Sequence, residues 1–478
     1  MKELNVYTVV DHVPKNANII TPKWVFKYKL DANGNIVKRK ARLVARGFTQ
    51  IYGIDFTVTF SPTLRQDSLR VVTAIAAQNR YNIYQIDVKA AYLNAELEEN
   101  IYIKAPQGDE NYGKRYWKLN KALYGLKQAG RMWNNTLNKV LTEMGLTRCK
   151  SEPCLYIKRN KNDKIISLLA VYVDDIIITG VENEILKIKN ELKSKFKITD
   201  VGNVDFIIGI KFEKLKDGYL LHQKRYLDEI LSKFNIDKYR PSSNMLPIIN
   251  EELRKKSFDQ TKYKKAIGSL LYLAISTRPD ILFAVSKASR RSRDPNYEDW
   301  LNVIKIFRYL KGNPNYGIKF TNDENFKVYV DADFGGDTAT RKSTTGFVVT
   351  MGNGPTSWYS KLQQCVAVST AESEYYALNE CARQCMWYKN LFDELSKEKR
   401  CITINTDNKV AIYNCENETI NPKSKHIDIK YHQIRDWIKE KKIKVNYVKS
   451  EFNLADGFTK YLSGPLMSKL RNNLLTQF

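Results

Sequence analysis

The chain has 478 residues, which is too long for one ordinary core, so several domains are expected. Hydrophobic residues make up 43% and charged residues 27%, a balance that argues against disorder over most of the length. The 78 Lys and Arg against 52 Asp and Glu give a net charge of +26, which favours nucleic acid as partner, with a membrane surface second. A membrane role is disfavoured, because the longest apolar run, residues 165–173, is far shorter than a membrane span and ends at two aspartates.

The seven cysteines are scattered along the chain. Cys149 with Cys154, or Cys381 with Cys385, could supply half of a zinc site. No second ligand pair follows at the required spacing, so buried thiols in a reducing compartment are expected.

The N-terminal part of the chain shows short strand and helix patterns. A basic hairpin is predicted first, because Asn33-Gly34 readily adopts the turn conformations that join two strands. The elements predicted after it are a helix over 63–80, a strand over 84–87, a helix within 120–145 that follows a turn at Tyr124-Gly125, and an apolar hairpin over 168–180.

Two changes in composition and in the order of elements are predicted in the rest of the chain. The stretch 238–262, with its prolines and many charges, is the predicted domain boundary. From about residue 325, strands and helices alternate as in an α/β domain. The other predicted elements are a helix over 183–195, strands near 207–212 and 219–222, a helix over 226–234 and two amphipathic helices within 264–311, split at 277–280.

The apolar hairpin carries two adjacent acids, Asp174 and Asp175, at its turn. Aspartate is common at turns and strand ends, so either residue alone has an ordinary structural explanation. Two carboxylates at the turn of an apolar hairpin repel each other unless a cation intervenes. Asp87 ends another strand, and neighbouring strands would bring the three carboxylates together as ligands for a hard cation such as Mg²⁺. The pattern therefore predicts a divalent-metal site.

The turn Tyr172–Asp175 resembles the YxDD motif of reverse transcriptases, and Asp87–Asn94 resembles the motif with their first aspartate. Further segments resemble copia-type retrotransposon sequences: Lys40–Phe48, Leu123–Gln128, Arg131–Trp133, Thr277–Asp280, Arg308–Gly312, Arg341–Gly346 and Lys425–Ile429. The chain is therefore similar to the reverse transcriptase–ribonuclease H portion of their Pol polyprotein. The resemblance implies a polymerase site with two metal ions, whose expected ligands are Asp87, Val88, Asp174 and Asp175.

The same resemblance implies roles for four other residues. Tyr92 matches the residue that stacks under the incoming sugar and excludes a 2′-hydroxyl, and Gln128 matches a residue near the templating base pair. Lys29 and Arg42 match, in approximate register, finger residues that hold the triphosphate. The structural alternatives are a core position for Tyr92, a polar helix start for Gln128 and exposed hairpin charges for Lys29 and Arg42.

Four acids in the last part of the chain follow strand ends or begin helices: Asp331, Glu372, Asp407 and Asp456. In order and spacing they resemble the acids with which ribonuclease H holds two metal ions and cuts the RNA strand of RNA–DNA hybrids. Asp333 and Asp337 are competing choices for the first position, although strand alternation favours Asp331.

Each of these acids also has a structural alternative. Ser369 and Glu372 fit a capping box, Asp407 could cap the next helix, and Asp456 would be stabilised at a helix N-terminus.

The sequence departs from the two families at two points. Gly130 stands where proline is usual, which puts the rigidity of that turn in question. The loop Lys449–Ala455 has no histidine, which many ribonucleases H carry before the last aspartate. Two alternatives are left open: product release is slower, or His426 substitutes for the absent histidine.

A basic tract is predicted to contact the phosphates of a hybrid without reading its bases: Arg290, Arg291, Arg293 and Arg308. The alternative is a solvated helix face.

The fold is predicted to be multidomain α+β and α/β. The expected parts are the fingers and palm of a right-hand polymerase over 1–195, a thumb over 196–250, a connection over 251–320 and a ribonuclease H-like domain over 321–478.

The predicted function is RNA- and DNA-templated DNA synthesis with ribonuclease H cleavage, using two Mg²⁺ per site, with Mn²⁺ as a possible substitute. The expected partners are template RNA, primer DNA, RNA–DNA hybrid and dNTPs; dimerisation is left open. The expected location is the cytoplasm, inside a virus-like particle, with a nuclear phase left open. The rival functions are a domesticated, non-catalytic nucleic-acid-binding protein and a structural component of a particle.

Overall fold

The computed structural model of the chain describes residues 1–30, 35–396, 399–416 and 428–478. The helices of these residues are α1 (Gln66–Gln78), α2 (Ala129–Glu143), α3 (Glu182–Lys195), α4 (Lys224–Lys233), α5 (Glu251–Arg254), α6 (Gln260–Ser276), α7 (Leu282–Ser289), α8 (Tyr297–Gly312), α9 (Thr370–Ser396), α10 (Lys409–Glu416), α11 (Asp428–Lys439) and α12 (Gly464–Leu474).

The strands of the same residues are β1 (Tyr7–Val10), β2 (Ile19–Ile20), β3 (Pro22–Leu30), β4 (Ile36–Ala45), β5 (Ile83–Val88), β6 (Glu96–Lys104), β7 (Tyr116–Lys121), β8 (Thr147–Arg148), β9 (Leu155–Arg159), β10 (Ile165–Tyr172), β11 (Asp175–Gly180), β12 (Ile198–Asn203), β13 (Phe206–Ile207), β14 (Ile210–Leu215), β15 (Gly218–His222), β16 (Tyr316–Thr321), β17 (Phe326–Ala332), β18 (Thr344–Met351), β19 (Gly354–Leu362), β20 (Ile402–Thr406), β21 (Ile443–Tyr447) and β22 (Thr476–Gln477).

The chain divides into two compact units. The first unit consists of residues 1–65 and 82–203, and the second consists of residues 66–81 and 204–478. The main division therefore falls before the predicted boundary stretch 238–262. Helix α1 belongs to the second unit, although its neighbours on both sides in sequence belong to the first.

The first unit is built around a six-stranded sheet in the order β12-β5-β11-β10-β9-β8. Strands β10 and β11 are rich in Ile, Val and Leu and are almost wholly buried, as expected for central strands. The sheet shares a hydrophobic core with helices α2 and α3. A four-stranded sheet (β1-β7-β6-β2) and the hairpin β3-β4 complete this unit. The predicted Asn33-Gly34 turn lies outside the described residues.

The second unit contains two five-stranded sheets. One has the order β13-β14-β15-β16-β22, and helix α1 packs on it and on β19. The other has the order β19-β18-β17-β20-β21, in which β19, β18 and β17 are antiparallel and β17, β20 and β21 are parallel. The long helix α9 packs against β17 and β18 of this mixed sheet.

Two helix predictions differ in extent from the structure. The helix predicted within residues 120–145 starts late, because β7 runs to Lys121 and α2 begins only at Ala129, after the predicted turn at Tyr124-Gly125. Between them Gly125 has a φ of 92°, and a Cβ there would lie 2.1 Å from the carbonyl oxygen of Ala45, so this turn requires glycine.

The second difference concerns residues 264–311, which form three helices. Helix α7 ends at Ser289, and the capping box of Asn296 and Asp299 starts α8.

None of the helices in the described part of the chain combines the length and the apolar character that crossing a membrane requires.

Candidate active sites

The two acids of the apolar hairpin face the end of a neighbouring strand. Tyr172 pairs with Asp175 across the β10–β11 turn, and Asp175 pairs with Asp87 of β5 in antiparallel register. The backbone N–H of Val88 donates to the carbonyl oxygen of Asp174 over 2.8 Å. Main-chain pairing therefore places Asp87, Asp174 and Asp175 at one edge of the sheet, as predicted from the sequence.

Two side chains that were not predicted hold this turn. The Nε1–H of Trp133 in α2 donates to the carbonyl oxygen of Val173 over 2.7 Å. The Nε2–H of Gln85 donates to Oδ1 of Asp175 over 2.9 Å. Gln85 precedes Asp87 by two residues and thus lies on the same face of β5. Its position two residues before Asp87, on a strand that ends in an acid, is the sequence pattern that could have identified Gln85.

Tyr92 lies half-buried beside the turn, in the short helix Ala91–Asn94. Its ring centroid is 4.8 Å from that of Tyr124, and the guanidinium of Arg42 is 5.8 Å from the Tyr124 centroid. Burial raises the pKa of the Tyr92 hydroxyl, and the carboxylate of Asp174 raises it further. Tyr92 and Arg42 thus belong to one aromatic and basic surface near Asp174. The side chain of Lys29 lies outside the described residues.

Gln128 occupies the N-cap position of α2 and is fully buried. Its amide nitrogen donates to the carbonyl oxygen of Asp55 and to Glu99, and its amide oxygen accepts from Gln50. The side chain makes no capping hydrogen bond to α2, and its amide is instead occupied by these three groups of the protein.

Gly130 is the second residue of α2, which forms without a proline. A Cβ at this position would make ordinary van der Waals contact, 3.4 Å, with Ser61.

The second unit brings together three carboxylates from distant parts of its sequence. Asp331 at the end of β17, Glu374 in the first turns of α9 and Asp407 after β20 each offer one oxygen, and these oxygens lie within 4.8 Å of one another. Asp331 and Glu374 are buried, and Asp407 is partly exposed. Because β17 and β20 are parallel neighbours, their ends meet at the same edge of the mixed sheet.

The glutamate of this cluster differs from the one predicted. Glu372 lies in the first turn of α9, where its N–H is bonded to the Ser369 hydroxyl and its carboxylate accepts from the N–H of Val368. This is essentially the capping arrangement that the sequence left open. Two residues along a helix correspond to about 200°, so Glu372 and Glu374 point in nearly opposite directions. Glu374 is therefore the candidate ligand in place of Glu372.

Asp456 lies near these three acids, and its charge raises the pKa values of both Asp331 and Glu374. Burial is the largest cause in each case: it helps raise the pKa of Asp331 to about 7 and that of Glu374 to about 9. The ammonium of Lys460 lies 2.9 Å from Asp456, and the Thr459 hydroxyl donates to Asp331. In the absence of a metal ion, protons and Lys460 compensate the crowded negative charge.

The contacts of Asp407 and Asp333 bear on two alternatives from the sequence: that Asp407 caps a helix, and that Asp333 replaces Asp331 in the cluster. Asn408, rather than Asp407, accepts the N–H of Ala411 at the start of α10. Asp407 instead accepts from the side chains of Ser450 and Asn453, at 2.5 and 3.3 Å. Asp333 accepts from the backbone N–H of Thr344, away from the three clustered oxygens. His426, the alternative substitute for the absent loop histidine, lies outside the described residues.

Buried oxygens without partners support a cation at this cluster. Among the described residues, Oε2 of Glu374 and Oδ1 of Asp456 are buried and accept no hydrogen bond. An unpaired buried carboxylate oxygen is costly unless a proton or a cation compensates it. The donors are all carboxylates, which are the ligands that Mg²⁺ and Mn²⁺ prefer.

The predicted basic tract is divided between paired and exposed residues. Arg290 forms an ion pair with Asp337 at 2.8 Å, and Arg291 forms one with Asp299 at 3.1 Å. Arg308 donates to the carbonyl oxygen of Arg240, and Arg293 is exposed. The paired arginines thus have structural partners within the second unit, which weakens the expectation that all four bind phosphates.

The sequence is similar to known proteins over nearly its whole length. Residues 4–250 match the family described as reverse transcriptase (RNA-dependent DNA polymerase). The chain is 37% identical over 477 residues to the retrovirus-related Pol polyprotein from transposon TNT 1-94 of Nicotiana tabacum. This alignment covers 96% of this chain and 36% of the polyprotein. It is 35% identical over 468 residues to the corresponding polyprotein from transposon RE1 of Arabidopsis thaliana. That alignment covers 96% of this chain and 32% of the polyprotein. The chain therefore spans about a third of the length of these relatives.

A solved structure of a foamy viral protease-reverse transcriptase in complex with double-stranded DNA shares the fold. It aligns with a TM-score of 0.50 at 10% identity, and the match covers 92% of this chain and 67% of that chain.

Proposed function

The chain belongs to the reverse transcriptase (RNA-dependent DNA polymerase) family, and on that premise we propose that it copies RNA and DNA templates into DNA and cuts the RNA strand of hybrids. The resemblance to copia-type Pol polyproteins, predicted from the motifs, is confirmed by the transposon relatives. The proposed substrates are template RNA, primer DNA, dNTPs and RNA–DNA hybrids.

One observation supports the polymerase assignment most strongly: Asp175 lies directly opposite Asp87 at the end of an otherwise apolar hairpin. Here the carboxylates of Asp87, Asp174 and Asp175, together with the main chain of Val88, would hold two Mg²⁺. The donor set fits hard cations, because all three side chains are carboxylates. Bound Mg²⁺ would activate the attacking 3′-hydroxyl and stabilise the charge on the triphosphate.

The protein's own groups would orient the nucleotide in this site. Tyr92, fixed beside Tyr124, would stack under the sugar and leave no space for a 2′-hydroxyl. Arg42 would donate to the triphosphate from the same surface, as proposed also for Lys29.

The ribonuclease H assignment is supported by the mixed sheet of the second unit and its acidic cluster. Asp331, Glu374, Asp407 and Asp456 would hold the metal ions for hydrolysis, and the two unpartnered oxygens support that role. Ser450 and Asn453 orient Asp407, and Thr459 orients Asp331. These hydrogen bonds would fix the carboxylates before the metal ions bind.

In the proposed domain arrangement, residues 1–195 provide the fingers and palm, 196–250 the thumb, 251–320 the connection and 321–478 the ribonuclease H-like domain. The proposed location is a virus-like particle in the cytoplasm.

Primer extension on poly-rA with an oligo-dT primer tests the polymerase proposal. Mg²⁺ should be required, Mn²⁺ should substitute, and Asp175→Asn should be inactive while a labelled hybrid is still cut. A protein that binds the hybrid but neither extends nor cuts it with either metal would instead be the domesticated, non-catalytic binding protein.

A further inference from the structure

The turn that carries Asp174 and Asp175 has an unfavourable backbone conformation at its first position. Tyr172 and Asp175 pair across a two-residue loop, Val173-Asp174, and Val173 has a φ of 56°. A two-residue hairpin loop with a positive φ only at its first position is the pattern of a type II′ turn, in which glycine is preferred there. A β-branched residue in this region is strained and persists only where its surroundings enforce it.

Trp133 provides such an enforcing contact. Its indole N–H donates over 2.7 Å to the carbonyl oxygen of Val173, the strained residue itself. The indole is 2% exposed and packs edge-on against Phe196, with ring centroids 5.2 Å apart. Trp133 lies in the second turn of α2, so a rigid helix anchors the hydrogen bond.

The space beside the turn would let Val173 move if the hydrogen bond from Trp133 were lost. Val173, Trp133, Tyr92 and Gly130 line a cavity of about 110 Å³ beside the turn. This volume gives the Val173 side chain space to shift if the carbonyl is released. Such a shift would carry Asp174, the next residue, away from Asp87.

We propose that Trp133 is a positioning residue of the polymerase site, which holds Val173 in the left-handed conformation so that Asp174 and Asp175 are set for metal ions and nucleotide. This inference rests on the proposed polymerase function. Trp133 touches neither substrate nor metal in this role and acts through the turn.

Four variants of the full chain test the proposal: Trp133→Phe, Val173→Gly, the double variant and Trp117→Phe. The last is a matched control, because Trp117 is also buried in the first unit and its Nε1–H has no hydrogen-bond partner among the described residues. Glycine at position 173 removes the strain, so the turn should no longer need the indole.

Trp133→Phe should lower kcat for primer extension roughly tenfold, a loss comparable in energy to one missing hydrogen bond. The KM for dNTP should change less than about twofold, since Tyr92 and Arg42, rather than the turn itself, would contact the sugar and the triphosphate directly. The affinity of the nucleic-acid-free protein for Mn²⁺, followed by electron paramagnetic resonance, should fall in parallel. The double variant should recover most of both losses, and Trp117→Phe should retain near-normal kcat and Mn²⁺ affinity.

Equal losses in Trp133→Phe and Trp117→Phe, or no recovery in the double variant, would show that Trp133 only packs. If the wild-type protein extended no primer, the polymerase proposal would fail, whereas Mn²⁺ affinities would still decide the role of Trp133. If Trp133→Phe did not fold, Val173→Gly alone would decide: near-normal extension and Mn²⁺ affinity are expected, and a loss beyond about tenfold would contradict a strain-based account.

Discussion

The two acidic clusters of this protein are assembled in different ways. Asp87 and Asp175 are set opposite each other by main-chain pairing of adjacent strands, and Asp174 follows from the same turn. Asp331, Glu374 and Asp407 meet through a parallel strand pair and a helix packed across it. The first arrangement depends on strand register and turn conformation, whereas the second depends on the rotational phase of a helix.

The two clusters also differ in how they compensate their charge. The buried acids of the second unit have strongly raised pKa values, and they have Lys460 beside them. In the first unit the Asp175 carboxylate is instead held by the neutral amide of Gln85. Because the acids of the second unit bind protons when no metal ion is present, the free energy of unfolding of the metal-free protein should depend on pH through them. Substitutions combined with pH changes therefore distinguish the two clusters.

The largest effect is expected from Asp175→Asn. It should reduce DNA synthesis by a factor on the order of 10³, because a neutral amide cannot replace a metal-binding carboxylate. Hybrid cleavage should stay within about twofold of wild type, since its acids are separate. Gel-based extension and cleavage assays on one preparation measure both. Near-normal extension by this variant would refute the polymerase assignment, and Asp331→Asn should give the reverse pattern.

The second prediction compares Glu374→Gln with Glu372→Gln. Glu374→Gln should lower hybrid cleavage by roughly 10²- to 10³-fold, because it removes a buried ligand from the cluster. Glu372→Gln should keep cleavage near normal, since glutamine also serves in a capping box. A fluorescent hybrid assay distinguishes them. The opposite ranking would return the catalytic role to Glu372.

The third prediction concerns substrate discrimination. Tyr92→Ala should admit ribonucleotides, lowering the dNTP-over-rNTP ratio of kcat/KM by roughly 10- to 100-fold, because the ring would be the barrier to the 2′-hydroxyl. Steady-state extension with each nucleotide measures the ratio. Tyr124→Phe, which keeps the neighbouring ring, is the control. An unchanged ratio would leave Tyr92 as a core residue.

The fourth prediction uses the raised pKa of Glu374, about 9 against an ordinary 4.5. Between these values the folded, metal-free protein binds protons that the unfolded chain does not, so its free energy of unfolding should fall as pH rises. Glu374→Gln should flatten this slope above the pKa of Asp331, about 7. Thermal melts across this range, with EDTA and with Mg²⁺, measure it. Mg²⁺ should stabilise the wild type more at the alkaline end; a slope unchanged in the variant would contradict the account.

The smallest effect is expected in the basic tract. Arg293→Ala should reduce the salt slope of log K for hybrid binding by about one, as for one phosphate contact. Arg290→Ala should leave the slope unchanged and lower the melting temperature, because Asp337 would lose its partner. Fluorescence anisotropy at several salt concentrations is the measurement. A slope that falls by about four in the quadruple alanine variant would restore the original phosphate path.

The sequence predicted well those features that depend on neighbouring residues. The hairpin with Asp174 and Asp175, the strand to Asp87 and helix α3 follow from alternation and periodicity over a few residues, and the structure has them. Glu372 fitted both a capping box and an active-site acid, and no local pattern showed that Glu374 faces the sheet. Gln128 likewise gave no sign that Gln50, Asp55 and Glu99 would enclose it.

The extent of the compact units could not be inferred from local patterns either. Helix α1 has the periodicity of any amphipathic helix, and its place in the second unit depends on residues far along the chain. Arg70 in its second turn is fully buried and donates to the carbonyl oxygens of Ile275, Ser276 and Thr356.

This placement of α1 has a consequence for biosynthesis. A ribosome completes α1 long before it has made β15, β16 and β19, the strands against which that helix packs. Until then the apolar side chains that the folded protein buries, among them Leu69, Val71 and Val72, have no partner, although the sequence on either side can already fold. The nascent chain must therefore keep this helix from aggregating for the time needed to translate some three hundred further residues, which makes it a natural place for a chaperone to bind.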